Sequence, residues 1–391
     1  MQRIGIYGGS FDPPHIGHMA AARQAMMALG LDRLLMIPAA QAPHKQGSYA
    51  EGVHRLQMLR LAAEQLPGAE VCDLELQRRG PSYSVDTVAA VAAQYPDAEI
   101  FLLMGSDMFL SFHTWFCPEK ILEQAGLAVF YRGDRDERTK VEARRAEMTA
   151  AGHRVALVKN PVVEISSTQV RRLLAFRAAD EFLPAGVGDY IRENGLYDGA
   201  ADWKNLPMER LEQVVTALLN PNRVAHVLGC RDAAVALARR WGVDETDAAR
   251  AGLLHDITKA LDGPLQLTLC GSYGKVLDDF SRRYPKTLHA LTGSLVAERI
   301  FGENRAVVDA IECHTTGKAA MNMLEKIIYV ADYMEPNRDF PGVDKLRRLA
   351  FSDMDEALRC GLNMTLEHLA RQGAEVSPAS RAALEYLNVN V

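Results

Sequence analysis

The chain has 391 residues, enough for two or more domains. Hydrophobic residues make up 48% and charged residues 24%, the balance of an ordinary globular protein. A formal net charge of −6 argues against nonspecific grip on DNA or RNA, and no apolar run is long enough to span a membrane.

The six cysteines (Cys72, Cys117, Cys230, Cys270, Cys313, Cys360) are scattered, with no CxxC pair. That argues against a disulfide frame and a zinc ribbon and fits a reducing compartment. The first residues read as a strand rather than a signal peptide, so the expected location is cytoplasmic.

The chain opens with an apolar strand, Arg3-Ile4-Gly5-Ile6-Tyr7, followed at once by Gly8-Gly9-Ser10-Phe11-Asp12-Pro13-Pro14-His15-Ile16-Gly17-His18. The glycines permit a sharp turn and close approach of a phosphate to main-chain N–H groups. Asp12-Pro13-Pro14 signals helix entry, and a helix from about His15 points its positive end back at the turn. His15 and His18, three apart, are expected on one face of that helix, where they can donate hydrogen bonds to phosphate charge.

Further strands are expected at Leu34–Pro38, Val71–Glu75, Ile100–Gly105, Ala128–Tyr131 and Arg154–Val158. Helical segments, including His54–Gln65, Ser84–Gln94 and Pro118–Gln124, lie between most of them. Alternation of this kind predicts an α/β fold with a doubly wound parallel sheet, whose ligands bind at the carboxyl ends of the strands. Those ends carry Pro43-His44-Lys45, Gly105-Ser106-Asp107, Arg132 and Ser166-Ser167-Thr168 with Arg171 one turn on. Hydroxyls at a helix start and a guanidinium suit phosphate. The charged stretch Arg132–Arg145 reads as a solvated loop and helix.

The opening motif resembles the nucleotidyltransferase superfamily with the HxGH signature. Together with Pro43-His44-Lys45, Pro81-Ser82-Tyr83-Ser84, Gly105-Ser106-Asp107, Trp115 and Ile165-Ser166-Ser167-Thr168-x-x-Arg171, it resembles bacterial nicotinate-nucleotide adenylyltransferase over residues 1–198. The resemblance implies a Rossmann-like domain that joins ATP, with Mg2+, to nicotinate mononucleotide, giving deamido-NAD and pyrophosphate. It implies Gly8, Gly9 and Ser10 in the nucleotide-binding turn. His15 and His18 would face the ATP phosphates, which Lys45 and Arg171 would neutralise. Gly105, Asp107 and Arg132 would hold the adenosine. Tyr83 and Trp115 would sandwich the pyridine ring beside Ser84, and Ser166, Ser167 and Thr168 would form a second phosphate clamp. Another mononucleotide acceptor is the alternative. His-Ile-Gly-His also occurs in class I aminoacyl-tRNA synthetases, but no lysine-rich second signature or basic RNA-binding domain accompanies it here.

Asp198–Asp202 reads as a short linker. Beyond Pro207 strand signals vanish, and Met208–Leu219, Ala233–Trp241, Thr246–Leu254, His289–Phe301, Ala306–Glu312 and Leu324–Glu335 have helical spacing. This half, residues 205–391, is expected to be all-α. Four of its five histidines, His226, His255, His289 and His314, combine with Asp256 and Asp332 into a candidate site for one or two divalent metals, all expected within helices.

The pattern resembles the HD superfamily of metal-dependent phosphohydrolases. His314-Thr315-Thr316-Gly317, Glu325–Asp332 and Glu335-Pro336-Asn337-Arg338 look like its symmetrical diadenosine tetraphosphatase branch. This implies His226, His255, Asp256, His289, His314 and Asp332 as ligands of iron, with manganese or magnesium as alternatives. It implies Asp256 in catalysis as well, hydrolysis of diadenosine tetraphosphate to two ADP, and Lys259 and Arg338 as phosphate contacts. Action on another nucleotide, or nucleotide sensing, is the alternative. The expected partners are ATP, nicotinate mononucleotide and diadenosine tetraphosphate, with no nucleic acid and no membrane.

Overall fold

Near-continuous apolar runs bounded by glycine or proline are what a sheet buried on both faces requires. In the computed structural model, which describes residues 1–40, 50–78, 80, 82–131, 135–159, 163 and 165–390, they form one six-stranded sheet. Its elements run β1 (Arg3–Gly9), α1 (Ile16–Leu29), β2 (Arg33–Pro38), α2 (Gly52–Ala63), β3 (Ala69–Val71), α3 (Ser84–Gln94) and β4 (Glu99–Gly105). Next come α4 (Ser106–Leu110), α5 (Pro118–Gln124), β5 (Gly126–Tyr131), α6 (Arg135–Ala150), β6 (Val155–Lys159), α7 (Ser167–Ala175) and α8 (Val187–Glu193).

All paired strands are parallel, in the order β3-β2-β1-β4-β5-β6. Because side chains alternate across a strand, Ile4, Leu35, Leu102 and Val129 enter one core with Val88 and Ile121. Leu34, Met36, Leu103 and Ala128 enter a second with Ala22 and Leu59.

The strand expected over Val71–Glu75 is shifted. β3 pairs Ala69, Glu70 and Val71 with Leu34, Leu35 and Met36, and Cys72 makes one last main-chain bond to Met36. The chain then turns, with Gln77 N–H bonded to Asp73 O, so that Glu75 is buried and accepts from Thr87 Oγ1 at 2.8 Å.

The described chain divides into two units, Met1–Ala201 and Asp202–Val391. The second contains α9 (Met208–Leu218), α10 (Pro221–Trp241), α11 (Glu245–Leu254), α12 (Gly263–Ser272), α13 (Asp279–Arg283), α14 (Leu288–Val296) and α15 (Arg305–Cys313). It ends with α16 (Met323–Met334), α17 (Val343–Ser352), α18 (Met354–Arg371) and α19 (Pro378–Asn390). Asn322 caps α16, where it and Glu325 form a capping box that fixes where that buried helix starts. α10 packs against α11 and α16, and α15 packs against α14 and α16. No strand lies in this unit among the described residues, and no described helix is long and apolar enough to cross a membrane.

Candidate functional site

In the first unit the strand order reverses between β1 and β4, and a cavity of about 540 Å³ opens beside the carboxyl ends of these strands. Gly8, Gly9 and Ser10 line it where β1 ends, together with His18 from α1. A Cβ on Gly8 would meet no atom within 4 Å, so the main chain there faces open cavity. Tyr83, Ser84, Trp115 and Phe116 also line it. The Tyr83 ring packs against Phe116, with centroids 4.8 Å apart, and Trp115 packs against Phe112 at 5.3 Å.

His15 does not lie on the helix with His18. It is the N-cap of α1, directly after Pro14, with extended φ −142° and ψ 168°. The two rings nevertheless stack, with centroids 3.7 Å apart and planes 30° apart. The His15 main-chain N–H donates to His18 Nδ1 at 3.2 Å, which places the proton of neutral His18 on Nε2. His15 is buried, burial lowers its pKa to about 4, and its Nδ1 has no hydrogen-bond partner among the described residues. Gly17 packs closely here, since a Cβ would sit 3.0 Å from that Nδ1.

The hydroxyl run after β6 is largely used within the protein. Ser166 caps α7 by accepting from Gln169 N–H, and Ser167 Oγ donates to Pro13 O at 3.0 Å. Arg171 donates to Asp12 O at 2.5 Å and to Thr168 Oγ1 at 3.1 Å. These bonds place the second candidate clamp against the first. Gly105 ends β4 and Asp107 is exposed on α4, next in sequence to the cavity residues Met104 and Met108. Lys45 and Arg132 lie outside the described residues.

In the second unit all six candidate ligands converge. His226 Nε2 lies 3.2 Å from Asp332 Oδ1 and 3.3 Å from His255 Nε2. Asp256 Oδ2 is 3.5 Å from His255 Nε2 and 3.7 Å from His226 Nε2. Its other oxygen, Oδ1, is 3.5 Å from His289 Nε2 and 3.8 Å from His314 Nε2. One carboxylate thus stands between two pairs of imidazoles. His226, His289 and Asp332 lie on α10, α14 and α16. His255 and His314, expected within helices, are instead the C-caps of α11 and α15, and Asp256 is in the turn beyond. At these positions each ring bonds back to its own last turn.

The other ring nitrogens show what the rings are set up to do. The Nδ1 atoms of His255, His314 and His289 meet main-chain oxygens of Gly252, Ile311 and Lys286 at 2.7, 2.7 and 2.9 Å. His226 Nδ1 meets Glu335 Oε1 at 3.1 Å. Each Nδ1 therefore donates, and each Nε2 lone pair is turned toward the shared space, as metal-binding imidazoles require. His226, His255 and Asp332 form one group that could hold a divalent ion and His255, Asp256 and His314 another, while His289 stands beside Asp256 Oδ1. Burial opposes ionisation of Asp332, but the neighbouring His226, His255 and Arg338 hold its carboxyl well below the usual range. Burial, then His314 and Lys259, lower the His289 pKa to about 3, which keeps that ring neutral.

Lys259 Nζ sits 2.8 Å from His289 Nε2 and 3.9 Å from Asp256 Oδ1, and Arg338 donates to Asp332 Oδ1 at 2.6 Å. Arg223, which lies against Asp256 Oδ2 through Nε at 2.7 Å, has no role in the sequence-based expectations, nor do Glu335, Phe116 and Thr315, whose hydroxyl meets His289 Nε2 at 2.9 Å. The available signals were spacing: Arg223 is one helical turn before His226, and Glu335 one turn after Asp332.

The cytidylyltransferase-like family model matches residues 6–173, and the HD domain model matches residues 223–337. The probable nicotinate-nucleotide adenylyltransferase of Gemmatimonas aurantiaca is 38% identical over 198 residues, covering 50% of this chain and 92% of that protein. The nicotinate-nucleotide adenylyltransferase of Bacillus subtilis is 33% identical over 200 residues, covering 51% of this chain and 100% of that protein. A solved structure from Clostridium acetobutylicum, called a "predicted HD superfamily hydrolase involved in NAD metabolism", shares 36% identity with a TM-score of 0.47. The match covers 48% of this chain and 99% of that one. The chain belongs to the nicotinate-nucleotide adenylyltransferase family, and an HD-superfamily domain follows in the same polypeptide.

Proposed function

We propose that the first unit transfers the adenylyl group of ATP to nicotinate mononucleotide, and that the second hydrolyses diadenosine tetraphosphate to two ADP. The observation carrying the first half is the cavity at the strand-order reversal, which has a glycine turn and a histidine imidazole in the same lining as three aromatic rings. An acceptor phosphate oxygen attacks the α-phosphorus, the bond to the β-phosphate bridging oxygen breaks, and pyrophosphate leaves. Positioning and charge neutralisation suffice for such in-line transfer. In this reading His18 Nε2–H and His15 face the phosphates of Mg2+-ATP. Lys45 and Arg171 neutralise them, with Gly8, Gly9, Ser10 and the Ser166–Thr168 turn closing the cradle. Gly105, Asp107 and Arg132 hold the adenosine, while Tyr83 and Trp115 flank the pyridine beside Ser84.

The second half rests on the four Nε2 atoms turned toward Asp256 and Asp332. His226, His255, Asp256, His289, His314 and Asp332 would hold the ions, iron before manganese or magnesium. Divalent ions supply positive charge for phosphate oxygens and lower the pKa of water. Arg223, Lys259 and Arg338 bring cationic groups to the same carboxylates and bind the phosphate chain as it is cut between its second and third phosphates.

The test is product analysis on the full chain. With Mg2+, ATP and nicotinate mononucleotide the expected products are deamido-NAD and pyrophosphate. With diadenosine tetraphosphate and Fe2+, Mn2+ or Mg2+ the expected product is ADP alone. A preference for nicotinamide mononucleotide would overturn the acceptor. Turnover of another nucleotide, or metal-free nucleotide binding without turnover, would overturn the tetraphosphatase.

A further inference from the structure

We propose that Tyr197, in the closing segment of the first unit, is a positioning residue for ATP that acts through Asp12 on the phosphate cradle. The proposal rests on the adenylyl-transfer reading of that unit. Asp12 is buried, 4% exposed, and a carboxylate so placed must be met by donors. Its Oδ1 accepts the Tyr197 hydroxyl at 2.5 Å across 185 residues of sequence, and the Ala50 N–H at 3.2 Å. The Arg55 guanidinium, also buried, interacts electrostatically with Asp12 and donates to Ser10 O at 2.8 Å and Ala50 O at 3.2 Å. On the main-chain side, Asp12 O takes Arg171 and Pro13 O takes Ser167. Asp12 is therefore a knot joining the glycine turn, the chain entering α2 and the start of α7.

The chain is bent specially to deliver that hydroxyl. Gly195, Tyr197 and Asp198 have φ of 61°, 55° and 57°, and two of these three are not glycine. Left-handed conformations are costly at such residues and persist where surrounding contacts hold them. Burial and Asp12 raise the Tyr197 pKa, so the hydroxyl remains a donor at all working pH values. Without it the carboxylate keeps its burial and loses its closest described donor. The loop that leads three residues later into the His15–His18 stack then loses its fixed rotamer at the knot. Tyr83 and Trp115, whose ring partners are Phe116 and Phe112, stand outside the knot. The effect should fall on ATP and spare the acceptor.

The test uses full-length Tyr197→Phe, which keeps the ring, measured below its melting temperature. Mg2+-ATP binding by calorimetry and the KM for ATP should both weaken about tenfold or more, the scale of a lost charge-assisted hydrogen bond. The KM for nicotinate mononucleotide and the hydrolysis of diadenosine tetraphosphate should stay within about twofold, a split that general loosening would not give. Asp12→Asn should weaken ATP similarly, and the double variant should be no worse than the poorer single one. ATP affinity within about twofold of wild type, or additive losses in the double variant, would overturn the proposal. If the wild type makes no dinucleotide from nicotinate mononucleotide, the acceptor assignment fails, while the ATP-binding arm still decides the role of Tyr197.

Discussion

His226 Nδ1 lies 3.1 Å from Glu335 Oε1, and Glu335 is itself clamped by Asn337 N–H at 2.7 Å and Asn337 Nδ2 at 2.9 Å. The fit is tight enough that a Cβ on Gly229 would fall 2.5 Å from Glu335 Oε2. Such a carboxylate orients the imidazole and raises its basicity, and losing one costs about 10–100-fold in metal affinity. Glu335→Ala should therefore bind Mn2+ or Fe2+ about 10–100-fold more weakly, and Glu335→Gln, which retains an acceptor, should fall between. Titration calorimetry and metal content after dialysis provide the measurement; unchanged affinity in Glu335→Ala would remove the orienting role.

His255→Ala and Asp256→Asn should abolish hydrolysis of diadenosine tetraphosphate and leave adenylyl transfer unchanged, because their described contacts lie in the second unit. In the wild type, a divalent ion at 100 times its Kd should stabilise the second unit by about 2.7 kcal/mol, and a chelator should reverse that. Calorimetric melting with and without chelator measures it. A metal-independent melt would contradict the site.

His18→Ala should reduce kcat for adenylyl transfer by about 10²–10³-fold, the range for removing one donor aimed at developing phosphate charge. The KM for nicotinate mononucleotide should change little. A loss confined to the KM for that acceptor would place His18 elsewhere in the cavity.

Two glycines should behave oppositely. Gly8→Ala adds a methyl group that meets no protein atom within 4 Å. Its melting temperature should stay near wild type while ATP affinity drops. Gly17→Ala places a methyl group 3.0 Å from His15 Nδ1 and 3.4 Å from Val163 O, and should destabilise the first unit by about 1–3 kcal/mol. Thermal melts paired with ATP titrations separate the two.

His15 also makes the first unit acid-sensitive. Its folded pKa, about 4, lies below the ordinary 6.5, so the unfolded chain takes up more protons between those values. Stability should be full above about pH 6.5 and should fall as pH drops toward 4, by on the order of 3 kcal/mol from this residue. His15→Asn should flatten that part of the curve. An identical pH dependence in the variant would assign the acid sensitivity to other groups.

The sheet was legible because buried parallel strands leave unbroken apolar runs, as at Leu34–Ile37 and Ile100–Met104. The edge strand was misplaced because Leu74 and Glu75 also read as strand, while the turn at Asp73 and the pull of Thr87 on Glu75 are tertiary. The convergence of six metal-type side chains was visible as residue chemistry. The positions of His255 and His314 just past their helices were not, since a helix end is set by local bonds such as His255 Nδ1 to Gly252 O. Arg223 and Glu335 carry no distinguishing composition. They acquire meaning when α10 packs on α11 and α16, which places Arg223 against Asp256 and Glu335 against His226.

The segment after Ala201 has a practical consequence. Trp203 lies flat on Phe301, with centroids 5.7 Å apart and planes 17° apart, and Asn205 N–H bonds to Phe301 O at 2.9 Å. Anyone dissecting the polypeptide by limited digestion or by recloning should cut ahead of residue 202. A fragment begun at 205 would uncover the Phe301 ring, leaving a greasy face that invites clumping.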